Sequence, residues 1–253
     1  MNHQRDDRPA QARPGSLRRE YTETAFHLDG AGPVDISVHP GRLLVLEGTD
    51  GVGRSTHCAL LRESLETLGY GVIHTGLSRG RLAGEGLRQA KMGTTATQRT
   101  LDLFYGTDFC DRLENEILPA LRAGFVVLTD RYFYSIMARS IVRGTDVGWL
   151  QDLYRFAPVP HGVLYLRVDI PSLVPRVVGR GSFDYWESGM DFQEGRDVFD
   201  SFQRYQTRLL GAFEQLSELY HFQVIDARRD VAEVFADLKA HVIRLLAGMK
   251  DHQ

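Results

Sequence analysis

Leu43-Leu44-Val45-Leu46-Glu47-Gly48-Thr49-Asp50-Gly51-Val52-Gly53-Arg54-Ser55-Thr56 is the stretch that decides the fold of this chain. Its first four residues form an unbroken apolar run, as a strand buried on both faces requires. A glycine-rich turn follows at once. Beyond it Cys58, Leu60, Leu61, Leu65 and Leu68 recur at helical spacing up to Gly69. Strand, glycine-rich turn and helix, in that order, are the setting of a phosphate-binding loop. Glycine lets the backbone wrap tightly, so that N–H groups point inward at a polyphosphate. The following helix adds the positive end of its dipole. Gly48, Asp50, Gly51, Val52, Gly53, Arg54, Ser55 and Thr56 are therefore the expected phosphate site. The competing reading is a bare connecting turn; the spacing, the Ser55-Thr56 pair and the flanking elements argue against it. One position departs from the pattern GxxxxGK[ST]: Arg54 stands where a lysine is expected. Arginine keeps the charge but replaces a compact ammonium with a planar fork.

Working outward, the 253 residues have room for one sizeable α/β core or two small ones. The net charge of −3 gives no electrostatic case for nucleic acid. Cys58 and Cys110 are the only cysteines, so neither a disulfide framework nor a zinc site is expected, and a reducing cytoplasm is the expected location. No apolar run approaches bilayer length, and the N-terminus lacks an apolar signal core, so no membrane association is expected.

Residues 1–20 are polar and arginine-rich, and read as a disordered arm. Residues 21–41 carry short β-like pieces at 24–28 and 34–38 around Gly30-Ala31-Gly32-Pro33, and read as an added hairpin. Residues 42–247 form the main domain, and 248–253 a tail. Within that domain strands are predicted at 42–47, 71–75, 125–129, 162–168 and 222–226. Helices are predicted at 54–68, 83–91, 97–122, 132–142, 147–156, 171–179, 194–219 and 230–247. Short apolar strands alternating with amphipathic helices imply an α/β, three-layer fold, its mainly parallel sheet covered by helices on both faces. Ligands are then expected at the carboxyl ends of the strands.

Three further groups carry chemistry. Thr129-Asp130-Arg131-Tyr132 closes the apolar run Phe125-Val126-Val127-Leu128. Asp130 there can hold Mg²⁺ through water or orient an acceptor phosphate, and Arg131 can clamp a phosphate as a fork. A surface Asp–Arg pair is the alternative. Arg176 and Arg180 lie four apart, on one helical face, and precede the segment 181–195. Gly181, Gly189 and Gly195, with Asp184, Glu187 and Asp191, make that segment read as a mobile lid over transferring phosphates rather than packed core. A solvated basic helix face is the alternative for the arginines. Tyr105 and Phe109, also four apart, can form a slot for a base, although such pairs are more often core. Asp102, Asp108 and Asp111 on the same helix read as a solvated or helix-pairing face. The nine histidines show no ligand spacing.

These pieces, in this order, resemble the thymidylate kinases, within the nucleoside monophosphate kinase group of P-loop proteins. The resemblance runs from Arg42 to about Leu246. It rests on the loop, on Asn115-Glu116-Ile117-Leu118-Pro119-Ala120-Leu121-Arg122-Ala123-Gly124, on Asp130-Arg131-Tyr132, and on Leu164-Tyr165-Leu166-Arg167-Val168 with Arg176 and Arg180-Gly181. It implies a P-loop NTPase-type fold with a five-stranded sheet. It also implies transfer of the γ-phosphoryl of ATP to a nucleoside monophosphate such as dTMP, with Mg²⁺ on Ser55 and Asp130, and homodimer pairing. Catalytic roles fall to Arg54, Asp130, Arg131, Arg176 and Arg180. The acceptor falls to Tyr105, Phe109, Arg131, Ser135 and Arg139.

The departures cluster in the base-reading parts. The family's TREPGG segment reads Thr75-Gly76-Leu77-Ser78-Arg79-Gly80, leaving Arg79 or Arg81 as the substitute for its arginine. Phe109 replaces the arginine that reads the thymine edge. Ile136 replaces a polar residue, and Tyr185 an arginine. Three readings follow: a kinase of this type, a catalytically weak nucleotide-binding relative, or a kinase for another phosphorylated acceptor.

Overall fold

A computed structural model describes residues 32–93, 96–179, 185–192, 195–247 and 249. The arm at 1–20, the β-like piece at 24–28, Arg180, residues 181–184 of the expected lid and most of the tail lie outside the described residues. The main domain follows the predicted alternation. Its elements are β1 (Arg42–Glu47), α1 (Arg54–Thr67), β2 (Val72–Gly76), α2 (Gly84–Gly93), α3 (Gln98–Arg112), α4 (Leu118–Arg122) and β3 (Val126–Asp130). They continue with α5 (Phe133–Val142), α6 (Val147–Leu153), β4 (Gly162–Arg167), α7 (Ile170–Val178), α8 (Val198–Leu219), β5 (Gln223–Asp226) and α9 (Val231–Leu245). The five strands run in the order β2-β3-β1-β4-β5, and all four pairings are parallel.

Period-two alternation sends the apolar side chains of each strand to opposite faces. Leu43 and Val45 of β1, Val127 of β3, and Val163 and Tyr165 of β4 join one buried cluster. Leu44 and Leu46, Val126 and Leu128, and Leu164 and Leu166 join the other. Helices α3, α5 and α8 supply Phe109, Ile136, Met137 and Phe213 to the first. Helices α1, α7 and α9 supply Leu61, Leu65, Leu173 and Leu238 to the second. The sheet is therefore dry on both sides, and its open end, at the strand carboxyl termini, is where polar groups gather.

Two details depart from the sequence reading. The single helix expected at 97–122 carries a π-helical turn at Leu113–Ile117 between α3 and α4. Pro119 accounts for it, because it has no N–H to give the carbonyl four residues back. Glu116 in this turn accepts from Thr75 Oγ1 at 2.6 Å, which ties the turn to β2. The piece at 34–38 is not a strand; Val34 N–H bonds Phe156 O at 2.9 Å and Ile36 packs into the core. Among the described residues no helix is long and apolar enough to cross a membrane.

Candidate active site

The loop after β1 is built to bring backbone close to a ligand. Gly48 has φ +143°, and a Cβ there would lie 2.9 Å from the carbonyl oxygen of Leu166, so no other residue fits. Helix α1 starts from Gly53 with no side-chain cap, whereas α3, α6, α7, α8 and α9 are capped by Thr97, Asp146, Asp169, Asp197 and Asp230. The first N–H groups of α1 are thus left for a ligand, as an anion site requires. A cleft of about 690 Å³ opens over this turn, bounded by the loop, Arg176, Arg229 and Val231. Arg176, expected to act from a lid, bridges this cleft from α7. It donates to Val52 O at 3.3 Å and to Ala227 O at 2.8 Å.

Arg54 is turned into the loop. Its Nε donates to Asp130 Oδ1 at 2.8 Å, and its Nη1 to the carbonyls of Gly48 and Thr49. Asp130 also accepts from Ser55 Oγ at 2.9 Å, which brings the two expected metal-site residues together. Asp50, buried within the loop, is ringed by three guanidinium groups: Arg131, Arg139 at 2.6 Å and Arg54 at 3.6 Å. Arg131 reaches it from a backbone at φ +74°, a strained conformation for a non-glycine residue. Its N–H bonds Leu46 O at 2.9 Å, and Thr129 Oγ1 donates to its carbonyl at 2.7 Å, which together hold that conformation. Burial, and then the Arg139 charge beside it, push Arg131 down to about 9, still protonated at neutral pH.

Glu47, fully buried, accepts from the N–H groups of Tyr132 at 2.8 Å and Ser135 at 3.3 Å, and from Ser135 Oγ at 2.5 Å. It thereby caps α5 from the neighbouring strand. Burial raises its carboxyl above the usual range, while the bonds from Ser135 and Tyr132 pull it back. Ser135, expected to touch substrate, is committed to this cap and buried.

The acceptor side divides the expected residues. Tyr105 and Arg139 line a slot with Gln98, Leu101 and Ile136. Phe109 does not join them. It is fully buried among Tyr132, Phe133, Tyr154 and Phe156, with ring centroids 4.9 to 5.8 Å away. Spacing of four places two residues on one face, but α3 also has to cover the sheet, and Phe109 lies on the side that does so.

The carboxylates of α3 are likewise not a solvated face. Asp102 accepts from Ser140 Oγ at 2.5 Å and Gln98 at 2.7 Å. Asp108 accepts from the N–H groups of Ser78 at 2.9 Å and Gly80 at 2.8 Å, and pairs with buried Arg112 at 3.2 Å. Asp111 accepts from Leu82 N–H at 2.9 Å. Together Asp108 and Asp111 cradle the loop that replaces TREPGG. A Cβ at Gly80 would lie 2.8 Å from Asp108 Oδ1 and 2.9 Å from Asp111 Oδ2, so a larger residue would have to displace both carboxylates. Arg79, one of the two substitutes considered, lies against Gly76 at the end of β2, next to Asp130 in register; Arg81 is exposed on the same loop.

The described part of the expected lid, residues 185–192, makes contacts with Arg143 and α8. Arg143 forks onto Asp191 at 2.7 and 2.9 Å, bonds Tyr205 Oη at 2.8 Å, and donates to Trp186 O at 3.2 Å. Ser188 and Gly189 are buried, and Ser201 and Gln206 of α8 bond the carbonyls of Ser188 and Glu187. Neither Arg143 nor the Asp108–Asp111 cradle was legible beforehand, because each pairs residues whose spacing carries no pattern.

A family profile described as thymidylate kinase matches residues 46–238. The probable thymidylate kinase 2 of Saccharolobus solfataricus is 32% identical over 201 residues, 79% of this chain and 94% of that protein. The probable thymidylate kinase of Thermococcus kodakarensis is 30% identical over 80% of this chain and 98% of its own length. The thymidylate kinase of Akkermansia muciniphila is 36% identical over 64% of this chain and 79% of its own. With the parallel sheet, the phosphate loop and Asp130-Arg131 all in place along the matched length, this chain belongs to the thymidylate kinase family, and is by that membership a nucleoside monophosphate kinase.

Proposed function

We propose that the chain moves the γ-phosphoryl group of ATP to dTMP, giving ADP and dTDP. One observation carries this reading: Arg54, Arg131 and Arg139 converge on Asp50 where the donor cleft over the loop adjoins the slot lined by Tyr105 and Arg139. Phosphoryl transfer demands positive charge at the junction of donor and acceptor, where the transferred group develops charge on its equatorial oxygens. An oxygen of the acceptor phosphate forms the new P–O bond while the β,γ-bridging oxygen leaves with ADP. The open N–H groups of α1 and the loop hold the donor phosphates, and Arg131 and Arg139 hold the acceptor phosphate. Arg176 fixes the far wall of the donor cleft. Arg180 is assigned to the transferring phosphates by the resemblance alone.

Ser55 Oγ and Asp130 Oδ2, 2.9 Å apart, are a pair of hard oxygen donors that fit Mg²⁺, whose remaining ligands would be phosphates and water. Bound there, it would neutralise charge on the β- and γ-phosphates. Free Cys58 and Cys110 fit the reducing cytoplasm in which we place this reaction. Homodimer pairing is part of the proposal; sedimentation of the full chain tests it.

A second reading, a weak enzyme that mainly binds nucleotide, has one observation behind it: the Arg54 fork is engaged by loop carbonyls. ADP release, measured over a panel of nucleoside monophosphates with a no-acceptor control, separates the two. Turnover with dTMP well above the control supports the kinase. ATP binding without acceptor-dependent turnover supports the second reading.

A further inference from the structure

Two cavities meet on the acceptor side, and one aromatic ring stands between them. The outer is a chamber of about 720 Å³ against α2, bounded by Ser78, Gly80, Glu85 and Arg88. The inner is the slot of Leu101, Tyr105 and Ile136, which has a free volume of only about 30 Å³. Lys91 and Trp186 alone, among the described residues, line both. Lys91 Nζ lies 5.5 Å from the Trp186 ring centroid, within cation–π range. The Trp186 carbonyl is held by Arg143, itself locked by Asp191 and Tyr205. The main chain at Trp186 is therefore anchored, while its ring sits at the boundary.

A space of about 30 Å³ holds a water, not a nucleobase. We infer that Trp186 is an acceptor-binding residue: its indole leaves the slot as the base arrives, then covers the base from the α2 side while Tyr105 lines the slot. The inference rests on reading this slot as the acceptor site. It also supplies a stacking face, favourable to any base, which the aliphatic walls Leu101 and Ile136 do not offer. Stacking does not read exocyclic groups, so Trp186 sets affinity for acceptors generally rather than the choice among pyrimidines.

In a Trp149→Phe background Trp186 is the sole tryptophan. Titration with dTMP alone should change its emission saturably, and ATP–Mg²⁺ alone should not. Trp186→Ala should raise the KM for dTMP and for dUMP by about tenfold or more, the usual weight of a base–aromatic stack, and leave the KM for ATP unmoved. Trp186→Phe should restore most of the loss, and decides the matter should the alanine variant fail to fold. A dTMP KM within twofold of the unmodified enzyme, an equal rise in the ATP KM, or emission blind to dTMP overturns the inference while leaving the kinase intact. An unmodified chain that phosphorylates no monophosphate removes the functional reading, and this inference falls with it.

Discussion

Replacing Asp108 with alanine tests how the acceptor chamber is built. The Asp108 and Arg112 side chains are both 0% exposed, with Arg112 Nε 3.2 Å from Asp108 Oδ2. The other two guanidinium nitrogens of Arg112 meet no acceptor among the described residues, so Asp108 is its one neutralising contact there. Asp108→Ala strands that charge and frees the N–H groups of Ser78 and Gly80. Stranding a buried charge costs about 3–5 kcal/mol, and the two N–H groups add less because their loop is open to water. In a domain of this size each kcal/mol lowers the melting temperature by about 2–4 °C, so a fall of about 6–20 °C is expected. Adding Arg112→Met removes the orphaned charge and fills its volume, and should recover about 2 kcal/mol or more. The recovered protein should still show a raised KM for dTMP, since Ser78 and Gly80 line the chamber and remain unheld. Calorimetry and urea titration of the single and double variants measure the first effect, and steady-state kinetics the second. A single variant melting within about 3 °C of the parent, or a double variant no more stable than the single, would refute the argument that Asp108 is there to neutralise Arg112.

Arg54→Ala should lower kcat at least about 100-fold, while Arg54→Lys should keep or raise it by swapping the fork bound to loop carbonyls for a compact ammonium; parental rates in both would remove Arg54 from the phosphate site. Arg176→Ala should raise the KM for ATP about tenfold and spare that for dTMP, because Arg176 braces only the donor cleft through Val52 and Ala227; matching rises would contradict this. His161 accepts from Leu43 N–H at 3.0 Å, and burial, then the Arg42 charge, lower it to about 4 from its ordinary 6.5. Between those values the unfolded chain binds the extra proton, so stability is full above pH 6.5 and falls as pH drops towards 4. His161→Gln, which still offers an acceptor but does not titrate, should flatten that part of the curve; urea unfolding at pH 7 and pH 4.5 tells the two apart.

How much of this was legible beforehand depended on distance along the chain. Leu43 to Leu46 followed by Gly48, Gly51 and Gly53 announced strand and turn because burial and positive φ act on neighbouring residues. The five parallel strands followed from short apolar runs alternating with helical spacing, and each lies within a residue or two of its predicted bounds. Asp130 and Ser55 lie side by side because both stand at strand-to-helix junctions, which a parallel sheet must bring to one edge.

Side-chain direction across elements was another matter. Phe109 and Tyr105 share a spacing, yet one is core and the other lines the slot, since the rotation of α3 is set by what it packs on. Asp108 and Asp111 look like solvent-facing charge until the loop at 77–83 folds over them and offers its N–H groups. Arg143 gave no signal at all, because the partners that tie it to other segments, Trp186, Asp191 and Tyr205, lie 43 to 62 positions away. The sequence by itself determined the sheet, the phosphate loop and the charged edge, all consequences of local backbone chemistry and periodic burial. Only the tertiary structure decided which buried charges are neutralised and by whom, because a charge removed from water is stable only beside partners that distant segments bring to it.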